Sequence, residues 1–149
     1  MTAILFVCLG NICRSPLAEG ILRQRIEAAG LGGSVTVDSA GTASWHVGKA
    51  PDPRSVAVAA RNGIDLSRLR ARQVSDADYT RFNLILAMDS DNLADLQARA
   101  PTGCRAEIRR FLPHDVPDPY YGGPNGFDAV FRMLDQGCHD LIARETAKL

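Results

Sequence analysis

The sequence lacks most of the features that are typical of proteins that bind nucleic acids, membranes or zinc. Its 17 basic and 17 acidic residues cancel, so no charge excess favours nucleic acid or a membrane surface as a partner. The apolar N-terminus has no basic leader and stops far short of a signal or membrane-spanning segment. Cys-x-x-Cys pairs and histidine clusters, which would suggest zinc, are missing, since His46, His114 and His139 lie far apart in the sequence.

Other absences bound the architecture. The chain has no internal repeats, low-complexity tracts or interdomain linkers, and 149 residues suffice for a core without metal or disulfide staples. We therefore expect one domain over residues 1–149, without cofactor or metal, as a monomer in the cytoplasm. In that compartment four cysteines are expected to be free, catalytic or redox-active rather than disulfide-bonded.

A tight loop between a strand and a helix is predicted at residues 8–16, with the sequence CLGNICRSP. The preceding residues 3–7 (AILFV) form an unbroken apolar run, which is typical of a strand buried on both faces. After the loop, Ser15 is a favourable N-cap and Pro16 a favourable first helical residue. The glycine and asparagine inside the loop tolerate the left-handed backbone angles that a tight curl requires.

Such a loop can bind a tetrahedral oxyanion, because successive backbone N–H groups point inward together with the positive end of the helix dipole. The residues expected around the anion are Leu9, Gly10, Asn11, Ile12, Cys13, Arg14 and Ser15. Cys8 would lie at the floor, where the same N–H groups favour a thiolate and make it a nucleophile. Arg14 offers two parallel donors to a phosphoryl group, and the Ser15 hydroxyl can donate to the sulfur.

The spacing of cysteine and arginine alone is not specific. Cys104 precedes Arg110, and Cys138 precedes Arg144, at the same separation as in the loop. Only Cys8 has an apolar strand before it and a helix start after it, so Cys104 and Cys138 are interpreted as structural. The alternative that Cys8 is also only a small buried residue at the end of a strand stays open.

Strands and helices alternate along the rest of the chain. Predicted strands cover residues 3–7, 34–40, 84–88 and 108–112, and predicted helices cover 16–29, 53–61, 90–100 and 127–148. Residues 64–73 are basic without clear periodicity and are expected to form a solvated connection. The alternation predicts an α/β fold, with a single doubly wound, four-stranded parallel sheet and helices on both faces. Ligands bind such sheets at the carboxyl ends of the strands, and the loop after the first strand qualifies.

A thiolate that accepts a phosphoryl group also needs an acid to protonate the departing oxygen. Asp118 is the candidate, because the flanking Pro117 and Pro119 restrict its backbone and its loop follows the fourth strand. An ordinary turn aspartate before proline is the alternative that the motif alone would favour.

Taken together, these motifs resemble the low-molecular-weight protein tyrosine phosphatases. Residues 8–16 match the phosphate loop of that family, and residues 118–122 (DPYYG) match its acid loop. Further landmarks match at residues 38–40, 51–52, 71–73 and 88–89. The resemblance implies a flavodoxin-like fold and metal-independent hydrolysis of phosphotyrosine in proteins, and of small aryl phosphates, through a cysteinyl-phosphate intermediate.

The resemblance also implies roles for individual residues. Cys8 would be the nucleophile, Arg14 the phosphate clamp, and Asp118 the acid that later becomes the base. A hydrogen-bond network that supports the loop would consist of Asn11, Ser15 and Ser39. The chain departs from the family pattern at Leu69, where many members have a histidine, so the usual imidazole partner of the loop asparagine is expected to be absent.

Two other functions fit parts of this pattern. Arsenate reductases share this fold and loop but need two further cysteines near the third strand, and residues 74–90 contain none. A module that only binds phosphate or phosphopeptide does not need the set of Cys8, Arg14 and Asp118.

Two finer expectations concern specificity and oxidation. Trp45, Tyr120 and Tyr121 are predicted to wall a deep site that selects phosphotyrosine, and the alternative is that one of them, with Tyr121 as the first candidate, packs into the core. Cys13 shares the curled loop with Cys8, so it is predicted to capture an oxidised Cys8 as a disulfide. The alternative is that Cys13 only fills space behind the loop.

Overall fold

The structure of the chain is a computed structural model that describes residues 1–123 and 125–147. Four strands form one parallel sheet in the order β2-β1-β3-β4. The strands are β1 (Thr2–Cys8), β2 (Val35–Gly41), β3 (Leu84–Ala87) and β4 (Glu107–Arg110). The helices are α1 (Arg14–Ala28), α2 (Pro53–Arg61), the short α3 (Asp78–Arg81), α4 (Ser90–Arg99) and α5 (Gly126–Ala147), and Pro119–Tyr121 forms a 3-10 turn.

Alternate side chains of the central strand enter two separate cores. Ile4 and Phe6 of β1 pack with α1, α2 and α5 on one face, whereas Leu5 and Val7 pack with Tyr79 and elements around α3 and α4 on the other. Because both faces are covered, the strands are apolar on both sides, as the unbroken run in β1 predicts. The expected doubly wound sheet with helices on both faces is confirmed.

Apart from shifts of a single residue, two local boundaries differ from the predictions and a third falls outside the described residues. β4 begins at Glu107 and ends at Arg110 rather than covering residues 108–112. The first helix begins at Arg14, with Cys13 and not Ser15 at its N-cap, because the Ser15 hydroxyl bonds side chains of the loop instead. The predicted end of the last helix at Lys148 lies outside the described residues.

The sheet order positions the site. All four strands are parallel, so their carboxyl ends share one edge, and β1 lies in the middle between β2 and β3. The loops that follow β1, β3 and β4 therefore leave the sheet at the same side. In the described part of the chain, no helix is long and apolar enough to cross a membrane.

Candidate active site

The loop between β1 and α1 curls around a concave space with Cys8 at its base. Cys8 ends β1 and is 2% exposed, and Asn11 takes a left-handed backbone angle, with φ of 56°. The carbonyl oxygens of Cys8, Leu9 and Ile12 accept backbone N–H bonds from outside the loop, at 3.0, 2.9 and 2.8 Å. The carbonyls thus point away from the concave space, an arrangement in which loop N–H groups can face an anion.

A chain of hydrogen bonds runs behind the sulfur. Cys8 Sγ lies 3.0 Å from Ser15 Oγ, and Asn11 Nδ2 donates to Ser15 Oγ at 2.8 Å and to Ser39 Oγ at 3.0 Å. Ser39 Oγ in turn donates to Glu19 Oε1 at 2.6 Å. The structure therefore brings Asn11, Ser15 and Ser39 together, and adds the buried Glu19 as the end of the chain.

The Glu19 carboxyl is held in an unfavourable environment for charge. Burial raises the pKa of Glu19 above its ordinary value, and the hydrogen bond from Ser39 and the charge of Arg23 oppose that rise only in part. Arg23 Nη2 lies 2.8 Å from Glu19 Oε2. The network thus ends in an ion pair that reaches the surface, since the Arg23 side chain is half-exposed.

Asn11 of the loop has a hydrogen-bond partner that is not a histidine side chain. The backbone N–H of Arg72 donates to Asn11 Oδ1 at 3.0 Å, and Leu69 packs against the core instead. Arg72 is itself fixed, since its guanidinium makes two bonds to Asp78 and two to Asp38, all between 2.9 and 3.2 Å. The prediction that residues 64–73 form a solvated connection is therefore wrong, because the backbone at this end is tied to the site and Ile64 and Leu66 at the other end are buried in the core.

Arg14 is buried and held from one side. Its Nη1 donates to Asp89 Oδ2 at 2.6 Å and to the carbonyl oxygen of Val116 at 2.9 Å. Burial lowers the pKa of Arg14, but the negative charges of Cys8 and Asp89 outweigh this and raise it. The guanidinium is therefore a permanent cation with its orientation fixed before any ligand arrives.

Asp118 lies across the cavity from the loop. Its Oδ1 accepts the backbone N–H of Tyr120 at 3.0 Å, and its Oδ2 lies 3.6 Å from Arg14 Nη2. The side chain is one-third exposed, so water can reach it. Of its two oxygens, Oδ2 is the one on the side of the guanidinium.

These groups surround a cavity of about 260 Å³ that opens to solvent. It is lined by Cys8, Leu9, Gly10, Ile12, Cys13, Arg14, Trp45, His46, Asp118, Tyr120 and Tyr121. Three aromatic residues among these form its mouth: Trp45 is 69% exposed, Tyr120 39% and Tyr121 88%. Tyr121 therefore does not pack into the core, and the alternative for that residue is excluded.

The remaining cysteines differ from Cys8 in their surroundings. Burial, followed by the charges of Asp52 and Cys8, raises the pKa of Cys13 to about 12, so its sulfur is a neutral thiol. Cys138 lies in the core with its sulfur 3.8 Å from the carbonyl oxygen of Ala18, and burial raises its pKa. Cys104 is half-buried beside Ala106. All four cysteines are free.

Several residues of the site were not identified from the sequence. Asp89 matches the family as part of a landmark but was given no role at the site, although its place after the strand next to β1 puts it at the same sheet edge as the loop. His46 lines the cavity and packs on the loop, since a Cβ at Gly10 would lie 2.9 Å from His46 Cδ2. No spacing signal in the sequence connects His46 to the loop.

A cysteine at the floor of an oxyanion loop, an arginine at its end and an opposed carboxyl group are features of cysteine-dependent phosphatases. Comparison with known proteins narrows this class. The sequence pattern of the family described as low molecular weight phosphotyrosine protein phosphatase matches residues 3–148.

Individual relatives agree over nearly the whole chain. A low molecular weight phosphotyrosine protein phosphatase of Schizosaccharomyces pombe is 46% identical over 141 residues, covering 89% of this chain and 90% of the relative. The low molecular weight protein-tyrosine-phosphatase YfkJ of Bacillus subtilis is 41% identical over 150 residues, covering 96% and 95%. A crystal structure of protein tyrosine phosphatase from Entamoeba histolytica, with Hepes in the active site, superposes with a TM-score of 0.92 at 38% identity, covering 100% of both chains. The chain belongs to the low molecular weight phosphotyrosine protein phosphatase family.

Proposed function

We propose that this chain hydrolyses phosphotyrosine in proteins, and small aryl phosphates, by forming and then hydrolysing a cysteinyl-phosphate on Cys8. The observation that supports the proposal is that Cys8, Arg14 and Asp118 line the same cavity. Cys8 lies at the base of the loop, the fixed Arg14 cation at its end, and Asp118 Oδ2 only 3.6 Å from that cation. The match to phosphatases over nearly the whole chain supports the same reaction.

In the first step the Cys8 thiolate attacks phosphorus, and the bond from phosphorus to the aryl oxygen breaks. Arg14 and the N–H groups of residues 9–14 hold the three equatorial oxygens, where charge accumulates in the transition state. Asp118 gives its proton to the departing oxygen. Because Oδ1 accepts the N–H of Tyr120, the oxygen that gives up the proton is Oδ2, which lies on the side of Arg14.

In the second step water attacks phosphorus and the bond from phosphorus to sulfur breaks. Asp118, now a carboxylate, takes a proton from the water, and Cys8 leaves as a thiolate. The hydrogen-bond chain favours that departure. Asn11 Nδ2 donates to Ser15 Oγ, which leaves the Ser15 hydroxyl proton for one of two acceptors, Cys8 Sγ at 3.0 Å or the carbonyl oxygen of Ala40 at 3.5 Å, and the sulfur is the nearer of the two.

The aromatic mouth supports a preference for phosphotyrosine. Trp45, Tyr120 and Tyr121 stand above a floor at which Cys8 is almost inaccessible, so the phosphate of a substrate must reach down between them. A phosphotyrosine ring spans that depth and can pack on the aromatic walls.

The single-domain organisation, the monomeric state and the cytoplasmic location stay predictions from the sequence.

The test of the nucleophile is turnover of p-nitrophenyl phosphate in the presence of EDTA, combined with phosphate binding. We expect the wild type to turn over the substrate and Cys8→Ser to lose turnover while still binding phosphate. Arg14→Ala should lose both, because the charge that holds the equatorial oxygens is gone. Substantial turnover by Cys8→Ser would show that another group is the nucleophile.

The acid has its own test. Asp118→Asn is expected to lower kcat/KM by about 10²–10⁴-fold for phenyl phosphate, a poor leaving group, because no proton reaches the departing oxygen. The loss should be much smaller for p-nitrophenyl phosphate, whose leaving group departs more easily as an anion. An equal loss for both substrates would mean that Asp118 has only a structural role.

A further inference from the structure

Arg54, at the second position of α2, joins the phosphate loop to the loop that carries Asp118. Its Nη1 donates to the carbonyl oxygen of Tyr120 at 3.2 Å. The guanidinium carbon lies 5.3 Å from the centre of the Tyr120 ring and 4.7 Å from that of Phe127, within the range of cation–π contact. A single side chain thus makes polar and ring contacts with the segment that follows the acid.

Hydrogen bonds hold the backbone on both sides of Asp118. Two residues before the acid, the N–H of Val116 donates to the carbonyl oxygen of Met88, and the carbonyl oxygen of Val116 accepts from Arg14. Two residues after it, the carbonyl oxygen of Tyr120 accepts from Arg54. The N–H of the same Tyr120 donates to Asp118 Oδ1, so the second attachment continues directly into the acid carboxyl.

Arg54 is in turn fixed to the phosphate loop. Its Nε and Nη2 donate to the two oxygens of Asp52 at 3.0 and 2.9 Å, and the backbone N–H of Asp52 donates to the carbonyl oxygen of Ile12 at 2.8 Å. The bonds from Arg54 hold the pKa of Asp52 below its ordinary value, so the pair is ionic at neutral pH. Arg54 therefore connects the loop that carries Cys8 to the loop that carries Asp118.

The position of the side chain argues for an indirect role. Arg54 lines a neighbouring pocket with Ala57, Arg61, Gly122, Gly123 and Phe127, behind the 3-10 turn. It reaches the acid loop from this outer side, whereas the cavity wall nearest the acid is formed by Tyr120 and Tyr121. A group in this place acts through Tyr120 and not on the phosphate.

We propose that Arg54 is a positioning residue that holds Asp118 Oδ2 over the leaving-group oxygen by fixing Tyr120. The inference rests on the proposed function, because it assumes that Asp118 is the acid. Proton transfer requires hydrogen-bond distance between the acid and the departing oxygen. Removal of Arg54 therefore impairs the reactions that need the proton and leaves those that do not.

The experiment compares kcat/KM for phenyl phosphate and p-nitrophenyl phosphate in Arg54→Met. kcat/KM reports the steps up to departure of the leaving group, and the ratio of the two values does not depend on the fraction of folded enzyme. We expect phenyl phosphate to lose about 10- to 100-fold, the cost of a displacement of about 1 Å, and p-nitrophenyl phosphate to lose far less. Arg54→Lys keeps one cation beside Asp52 but not the planar fork, so it should lie between the wild type and Arg54→Met.

Arg61→Met is the matched control. Arg61 also lies on α2 and also pairs a guanidinium with a carboxylate, Asp128 of α5, at 2.8 Å, but it pairs with α5 and not with the acid loop. The ratio of its kcat/KM for phenyl phosphate to its kcat/KM for p-nitrophenyl phosphate should equal the wild-type ratio. A ratio in Arg54→Met equal to the wild type, alongside a lowered ratio in Asp118→Asn, would overturn the inference and leave the acid assignment intact. An unchanged ratio in Asp118→Asn itself would overturn the acid assignment and the inference with it.

Discussion

Asn11 is the residue on which the shape of the phosphate loop depends most directly. It combines a left-handed backbone angle with side-chain bonds to Ser15, Ser39 and the backbone of Arg72. An asparagine tolerates that angle better than most residues, and its amide provides both donors and an acceptor. The angle could be predicted from the sequence. The third bond could not, because it joins residues 61 positions apart.

Cys13 gives a prediction at the same scale. If it protects Cys8, peroxide first oxidises the Cys8 thiolate to a sulfenic acid, and the Cys13 thiol then forms the disulfide with loss of water. We expect wild-type enzyme treated with peroxide to recover with a thiol reductant and Cys13→Ser to recover far less. Each recovery is expressed as a fraction of the same protein's untreated activity.

The raised pKa of Cys13 makes this capture slow, since a thiol must lose its proton to attack. Recovery should therefore improve when oxidation is carried out at higher pH. Full recovery of Cys13→Ser, or a mass spectrum of the oxidised wild type without a link between Cys8 and Cys13, would leave Cys13 only its packing role.

At the scale of elements, the segment that leads into α3 acts as a tie between β2 and the loop. Residues 72–74 run beside the end of β2, with backbone bonds to Gly41 in both directions. Arg72 bridges Asp38 of β2 and Asp78 of α3. The backbone N–H that holds Asn11 therefore has its position set by two ion pairs.

This tie predicts a pH-dependent loss of stability in Asp78→Asn. Burial raises the pKa of Asp78, but the bonds from Arg72 and Ser75 outweigh it and hold the pKa below its ordinary value. Because the pKa of Asp78 is depressed in the folded state, its charge stabilises the fold at pH values above the ordinary carboxyl pKa of about 3.9. This stabilisation is lost as the pH falls through the depressed pKa of the folded state. We expect the variant to lose about 2 kcal/mol of unfolding free energy at pH 7, since Arg72 is partly exposed.

Urea unfolding of wild type and Asp78→Asn at several pH values measures that difference. It should be constant from pH 7 to about 5 and shrink below pH 4. A difference that persists unchanged at pH 3 would mean that the asparagine is tolerated poorly for steric reasons, and that the charge of Asp78 contributes little.

The elements that the sequence predicts well are those whose signals are local. β1 and the loop after it are marked by an apolar run, a glycine and an asparagine, and β3 by a second apolar run. β4 has the sequence EIRR and contains one apolar residue, so its limits depend on pairing with β3. The prediction that Ser15 is the N-cap of the first helix is wrong for a related reason, because its hydroxyl bonds to Cys8 and Asn11 instead.

At the scale of the whole molecule, the site is assembled from loops that are far apart in sequence. Cys8 ends β1 and Arg14 begins α1, whereas Asp89 follows β3 and Asp118 follows β4. The parallel sheet brings these loops to one edge, which is why Asp118 could be placed near Cys8 from the order of the elements. The contact of His46 with the loop depends on the path of an irregular segment and had no such signal.

The burial of Cys8 beneath the exposed aromatic residues of the cavity predicts selectivity between phosphopeptides. We expect kcat/KM for a phosphotyrosine peptide to exceed that for the matched phosphoserine peptide by about 10²-fold or more, because the short side chain cannot bring phosphorus to Cys8 without misplacement. Trp45→Ala should reduce this preference by removing an aromatic wall. Similar values for the two peptides would show that the mouth does not select its substrate.

The central position of β1 also has a consequence during synthesis on the ribosome. The first strand to be made pairs with β2 early, but its other edge stays open until β3 is made some eighty residues after it begins. Until then the strand that carries Cys8 exposes unpaired backbone groups, which invite pairing with other chains. A nascent chain released before β3 is made would keep that open edge and would also lack Asp118, so premature termination there yields an aggregation-prone fragment with an incomplete site.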